Sequence, residues 1–200
     1  GTIDLGYVGK VDKIKTRELK KTIEEGLIPV IAPIGISRRH KYLNINADVV
    51  AGEVAEALDA DTVELRRAIH HDPELGLHLP ETQTKITEAL TGLGLDITLG
   101  ESTTSVVADL DSGKPGPTVL LRGDMDALPL QEDYPSDFKS KHDGRMHACG
   151  HDTHVAMLVS AAKLLANSKD SFTGKIRFMF QPGEEGFHGA KFMIEEGVLN

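Results

Sequence analysis

Residues 153–166, THVAMLVSAAKLLA, are apolar nearly all round. A helix of that character has no face to offer water, so other elements must cover it on several sides. The flanking segments supply that cover. Residues 106–110 and 118–121 read as strands separated by the turn-rich DSGKPGP, and 175–180 reads as a third, with Ile176, Phe178 and Phe180 on one face. Residues 62–71, 80–93 and 190–196 carry helical patterns; Pro80 suits a first turn, and Gly92, Gly94 and Gly197 act as stops. Strands alternating with helices predict an α/β layered architecture.

Composition narrows the classes further. The 200 residues are 40% hydrophobic and 26% charged, with a formal net charge of −9, which describes a soluble acidic chain. The longest apolar candidate, 27–36, is broken by Pro29 and Pro33 and falls short of the roughly 20 residues that span a bilayer. No membrane partner is expected. The opening GTIDLGYVGK lacks a basic start followed by an apolar stretch, so no secretory signal is read there. One cysteine precludes an internal disulfide, and a cytoplasmic location is expected. Nucleic acid is not an expected partner either, because phosphate binding needs clustered Lys and Arg.

The charge is unevenly spread. Residues 1–60 hold nine basic and nine acidic side chains, so the whole net charge of −9 belongs to 61–200, which also holds every histidine except His40. The first piece reads as a helix over 16–25, a buried strand over 28–32, a loop over 33–41, and a helix over 47–58 capped by Asn46. A boundary near residue 60 is expected, giving domains 1–60 and 61–200.

The chemistry concentrates in three segments of the second piece. Residues 146–152 read MHACGHD and His154 follows, so the only cysteine stands among His147, His151 and His154 just before the apolar helix. Thiolate and imidazole suit zinc and its borderline-soft relatives, and a helix N-terminus favours the thiolate. The strand at 118–121 runs into RGDMDALP, placing Asp124 and Asp126 past its end, and the strand at 175–180 runs into QPGEEG with Glu184 and Glu185. Open α/β sheets bind ligands outside the carboxyl ends of their strands, so the three segments can converge on one edge. Adjacent carboxylates point apart. One can hold a cation while its neighbour takes a proton from water.

The ordered set RRAIHHDPELG, LRGDMDALPLQE, MHACGHDTHVAMLVSAAKLLA and FQPGEEGFHGAKFMIEEGVL closely resembles the amino-terminal half of the metal-dependent amidohydrolases that include hippurate hydrolases, N-acyl-amino-acid deacylases and auxin-conjugate hydrolases. The resemblance implies a three-layer α/β/α zinc-peptidase-like catalytic domain and hydrolysis of the amide bond of an N-acyl amino acid. It also implies Cys149, His151 and Glu185 as metal ligands, Glu184 as general base, Asp126 as support for the metal shell, and two divalent ions, zinc or manganese. Gly183 stands where the family commonly has alanine, a change expected to be mild. The family draws further histidine ligands from beyond the stretch matched here, so an incomplete domain with weak metal binding and impaired turnover is expected.

Residues 1–60 are similar to something else. IDLGYVGKV, GLIPVIAPIG and YLNINADVVAGEVAEAL resemble the middle of N-acetylglutamate kinase, an amino-acid-kinase α/β fold of arginine biosynthesis. That resemblance implies Asn44 and Asp48 as substrate-side residues, with ATP and Mg as cofactors of that alternative activity alone. GYVGK is not a phosphate-binding P-loop, since it lacks the required spacing. Three readings therefore stand: a metal-dependent amidohydrolase acting on a small N-acyl amino acid, an N-acetylglutamate kinase, and an inactive chimera of two half-domains. A homo-oligomer is one way the uncovered sheet edges of such half-domains are buried.

Overall fold

The computed structural model describes residues 12–24, 34–45 and 61–200. The chain divides into two compact units, Gly1–Val63 and Glu64–Asn200.

In the first unit, α1 (Thr16–Glu24) agrees with the predicted helix to within one residue, and β1 (Ile34–Ile36) pairs antiparallel with β2 (Tyr42–Asn44). The predicted loop over 33–41 therefore contains a strand. Three residues centred on Gly35 are too short to show alternation, and Ile34 and Ile36 are both exposed, so no buried face marks them. The turn is closed from within, by Lys41 N–H donating to Ser37 Oγ at 3.0 Å. The predicted strand over 28–32 and helix over 47–58 lie outside the described residues.

The helix α2 (Asp61–His71) leads into the second unit, which continues with α3 (Pro80–Leu90), β3 (Asp96–Leu99), β4 (Val106–Asp111), β5 (Thr118–Asp124), α4 (His151–Asn167), β6 (Lys175–Gln181) and α5 (Gly189–Glu195). The four strands form one mixed sheet in the order β3-β4-β6-β5. β6 runs antiparallel to β4 and parallel to β5, and α4 makes the β5-to-β6 crossover that parallel strands require. β3 was not anticipated from sequence. Its pattern is mostly exposed, as suits an edge, so it lacks the apolar run of the inner strands. α3 stops at Leu90 rather than 93, where Gly92 and Gly94 take positive φ.

Period-two alternation sorts the side chains between the two faces of the sheet. Val106, Ala108 and Leu110 of β4, with Ile176, Phe178 and Phe180 of β6, pack with Ile69 of α2, Ile86 and Leu90 of α3, and Val155 and Val159 of α4. Val107 and Met179 point the other way and pack with Met193 of α5 and Val198. The result is three layers, α/β/α, with the largely apolar α4 packed against the sheet and α3, while Leu164 on its far side stays exposed. Among the described residues no helix is long and apolar enough to cross a membrane.

Candidate metal centre

β5 and β6 lie side by side and in parallel, so their carboxyl ends deliver two acidic segments to the same edge. β5 runs three residues beyond the predicted end at 121, so Asp124 is its last residue instead of lying past it, and Asp126 follows beyond the strand. Met125 N–H donates to the Gln181 carbonyl at 2.8 Å, tying the two strand exits together. The Asp126 carboxylate then accepts both backbone N–H groups of the glutamate pair, Glu184 on Oδ1 and Glu185 on Oδ2, each at 3.0 Å. One buried carboxylate thus fixes the turn from which two others project.

That turn depends on Gly183, whose φ is +66° and whose missing Cβ would lie 2.6 Å from Leu77 Cδ2. Alanine at this position would be strained in this backbone, so the glycine is matched to its surroundings.

The third contributor is the start of α4. Its N-cap is Gly150 at φ +91°, a left-handed position that reverses the chain between Cys149 and His151. His151 is buried, and its Nδ1 lies 2.7 Å from the Asp126 backbone oxygen, which can only accept, so the ring proton sits on Nδ1. Nε2 is left as the ligand atom. It faces the glutamates, 3.8 Å from Glu184 Oε2 and 4.0 Å from Glu185 Oε1. One donor atom each from Cys149, His151 and Glu185 lies within 4.8 Å of the other two. Sulfur, imidazole nitrogen and carboxylate oxygen at that separation suit a zinc-like cation in chemistry and in span.

The sequence-predicted site of the second unit is therefore brought together in full: Cys149, His151 and Glu185 as one donor set, Glu184 beside it and Asp126 beneath it. In the first unit Asn44 ends β2, paired with Ile34, and Asp48 lies outside the described residues.

Sequence reasoning did not assign a second donor set, Asp124, His151 and His154, within the same mutual distance. The i, i+3 spacing of His151 and His154 on α4 is the signal that could have found it. Asp124 is also held by Arg122, whose Nη2 lies 2.6 Å from Oδ1.

The electrostatics follow from these contacts. Burial alone would raise the Asp126 carboxyl, but the His151 hydrogen bond and the two backbone N–H donors outweigh it and hold the group below the usual carboxylate range. For His151, burial pushes the pKa down, while the Asp126 contacts prevail and lift it above its ordinary value. His147 is the opposite case. It is 4% exposed, neither ring nitrogen has a hydrogen-bond partner among the described residues, and burial lowers it to about 4. The unfolded chain would take up a proton on this ring near 6.5, so between about 6.5 and about 4 the unfolded state binds more protons. Stability from this group is present above that window and is lost as pH falls through it. Urea unfolding with a chelator present at pH ~7 and ~4.5 is expected to show a smaller acid loss in His147→Phe than in the parent. Equal losses in the two would contradict the assignment.

Residues 120–200 match the model of Peptidase family M20/M25/M40. Residues 1–67 match the Amino acid kinase family. Thermostable carboxypeptidase 2 of Saccharolobus solfataricus is 50% identical over 141 residues, which are 69% of this chain and 36% of that protein. An N-acyl-L-amino acid amidohydrolase of Geobacillus stearothermophilus is 42% identical over 149 residues, 74% of this chain and 40% of that protein. Among solved structures, a dinuclear metal-binding peptidase of the M20 family from Bacillus subtilis superposes with a TM-score of 0.69 at 40% identity, covering 72% of this chain and 41% of that one. The chain thus spans 36 to 41% of the length of these three proteins.

Proposed function

We propose that the second unit carries the metal-binding half of an amidohydrolase that cleaves the amide bond of N-acyl amino acids. The observation that carries this reading is the Cys149, His151 and Glu185 donor set with a second carboxylate, Glu184, beside it. The similarity to an N-acyl-L-amino acid amidohydrolase and to a dinuclear metal-binding peptidase supports the substrate class and a requirement for divalent cations. Two ions, zinc or manganese, are the proposed complement.

A divalent cation held there would polarise the scissile carbonyl and make water a better nucleophile. The chain's own residues do the rest. Glu184, with its carboxylate partly open to solvent, accepts the proton of the attacking water and passes it to the departing amine nitrogen, leaving a carboxylic acid and a free amino acid. Asp126 keeps Glu184 and Glu185 in register through their backbone N–H groups. The His151 proton stays on Nδ1, so the ring presents one fixed nitrogen.

Metal analysis tests the reading directly. The purified chain is expected to take up zinc or manganese weakly on titration, and Cys149→Ser to take up much less. Absence of bound metal from both forms, after incubation with either ion, would refute the site.

The family match over residues 1–67 favours a second reading for the first unit, phosphorylation of N-acetylglutamate by ATP with Asn44 and Asp48 on the substrate side. An ATP-dependent assay separates the two activities, because the hydrolase needs no nucleotide.

A further inference from the structure

The segment RRAIHHDPELG and the end of LRGDMDALPLQE supply no donor atom to the metal centre, and both lead to a buried group behind it. Arg66 and His70 come from RRAIHHDPELG, and Glu132 lies just after the LPLQ stretch. They converge on Asp152, the second residue of α4 and the immediate neighbour of His151. Asp152 is 1% exposed, His70 5% and Glu132 3%. Asp152 Oδ2 accepts from His70 Nδ1 at 2.8 Å and from Arg66 Nε at 3.2 Å. His70 Nε2 lies 3.2 Å from Glu132 Oε1, and Glu132 Oε2 accepts the Ser140 backbone N–H at 2.7 Å. A chain of charge-assisted contacts therefore runs from α2 to the first turn of α4 and on to the 132–140 segment.

Such a network is a poor way to gain stability. Burying charged groups costs several kcal/mol for each ion, and apolar residues of similar volume often serve a core as well or better. What the network does supply is a fixed position. Gly150 gives α4 no side-chain cap, so the first turn has no hydrogen bond of that kind to hold it. Asp152 is tied to α2 instead, and its backbone neighbours are the turn that aims Cys149 and His151.

We propose that Asp152, clamped by Arg66 and His70, is a positioning residue for the Cys149 and His151 donor pair. It touches neither substrate nor cation. Its role is to set the angle at which the turn presents sulfur and nitrogen, and it rests on the reading that these two residues bind metal.

The test is cobalt(II) titration of the full chain, read by the sulfur-to-cobalt absorption and by the d–d bands that report coordination geometry, with far-UV circular dichroism and thermal melting in parallel. Asp152→Asn keeps the shape and removes the charge. It is expected to bind cobalt about 10- to 100-fold more weakly, with altered d–d bands, while it keeps its secondary structure and a cooperative melt. Asp111→Asn, which removes an exposed partner of Lys175, should leave the titration unchanged. A folded Asp152→Asn with parental affinity and parental bands overturns the inference while leaving the metal reading intact. If that variant does not fold, Arg66→Gln replaces it, since it removes one of the two groups that clamp Asp152 and does so at a partly exposed side chain. There, a loss of about threefold or more at unchanged secondary structure supports the proposal, and no loss overturns it. A parent chain without sulfur-to-cobalt absorption, or one whose absorption survives Cys149→Ser, removes both readings together.

Discussion

Glu184→Gln is expected to bind its divalent cation as tightly as the parent chain and to hydrolyse an N-acetyl amino acid about 10²- to 10⁴-fold more slowly, the usual contribution of a positioned general base. The two halves of that expectation rest on different atoms. Cation affinity belongs to Cys149, His151 and Glu185, whose donor atoms form the compact set, and Glu184 lies beside it with its Oε2 3.8 Å from His151 Nε2. Glutamine preserves the backbone N–H that Asp126 accepts, so the turn should not move. What it removes is the capacity to take a proton. Metal titration and steady-state hydrolysis on the same samples check both halves. Equal rates in parent and variant would remove Glu184 from the mechanism, and a fall in affinity as large as the fall in rate would recast it as a ligand. A parent chain with bound metal and no turnover would confine the proposal to metal binding.

How much of this could be read from sequence varies with the kind of signal each residue leaves. Glu184 and Glu185 were legible because a strand whose Ile176, Phe178 and Phe180 share one face runs straight into them and fixes where the chain leaves the sheet. Cys149 and His151 were legible because the only cysteine stands among three histidines just before a largely apolar helix. The position of Asp126 beneath the glutamate pair was not derivable from spacing, since it depends on β5 and β6 being adjacent and parallel, a property of the whole sheet. Asp152 left less trace still. Its partners lie 86 and 82 residues earlier in the chain, and a carboxylate at the start of a helix ordinarily reads as a surface residue favouring the helix dipole. The edge strands β1 and β3 were missed for the converse reason, because solvent-facing strands bury too little to imprint a pattern.

The same logic identifies the substitution with the largest expected effect on folding. Phe178→Ala should destabilise the second unit by about 3–5 kcal/mol, the range for deleting a buried aromatic ring. Phe178 is fully buried at the middle of β6, directly across from Ala108 on β4 and Leu121 on β5. Both neighbours are smaller than the ring. Neither can fill the space it leaves without moving its own strand, so the cavity term should persist. Set against a typical total of about 5–15 kcal/mol, that loss leaves a marginal domain. The expected observation is a lower urea midpoint with little change in the slope of the transition. β6 also carries the chain to Glu184 and Glu185, yet the donor atoms themselves are untouched. Saturating zinc should therefore recover part of the lost stability, by mass action on the folded state, in this variant and not in Cys149→Ser. A loss below about 1 kcal/mol would mean that the sheet repacks around the missing ring and that β6 is less rigid than its burial implies. Zinc rescue of equal size in both variants would show that the ion binds somewhere other than the Cys149 set.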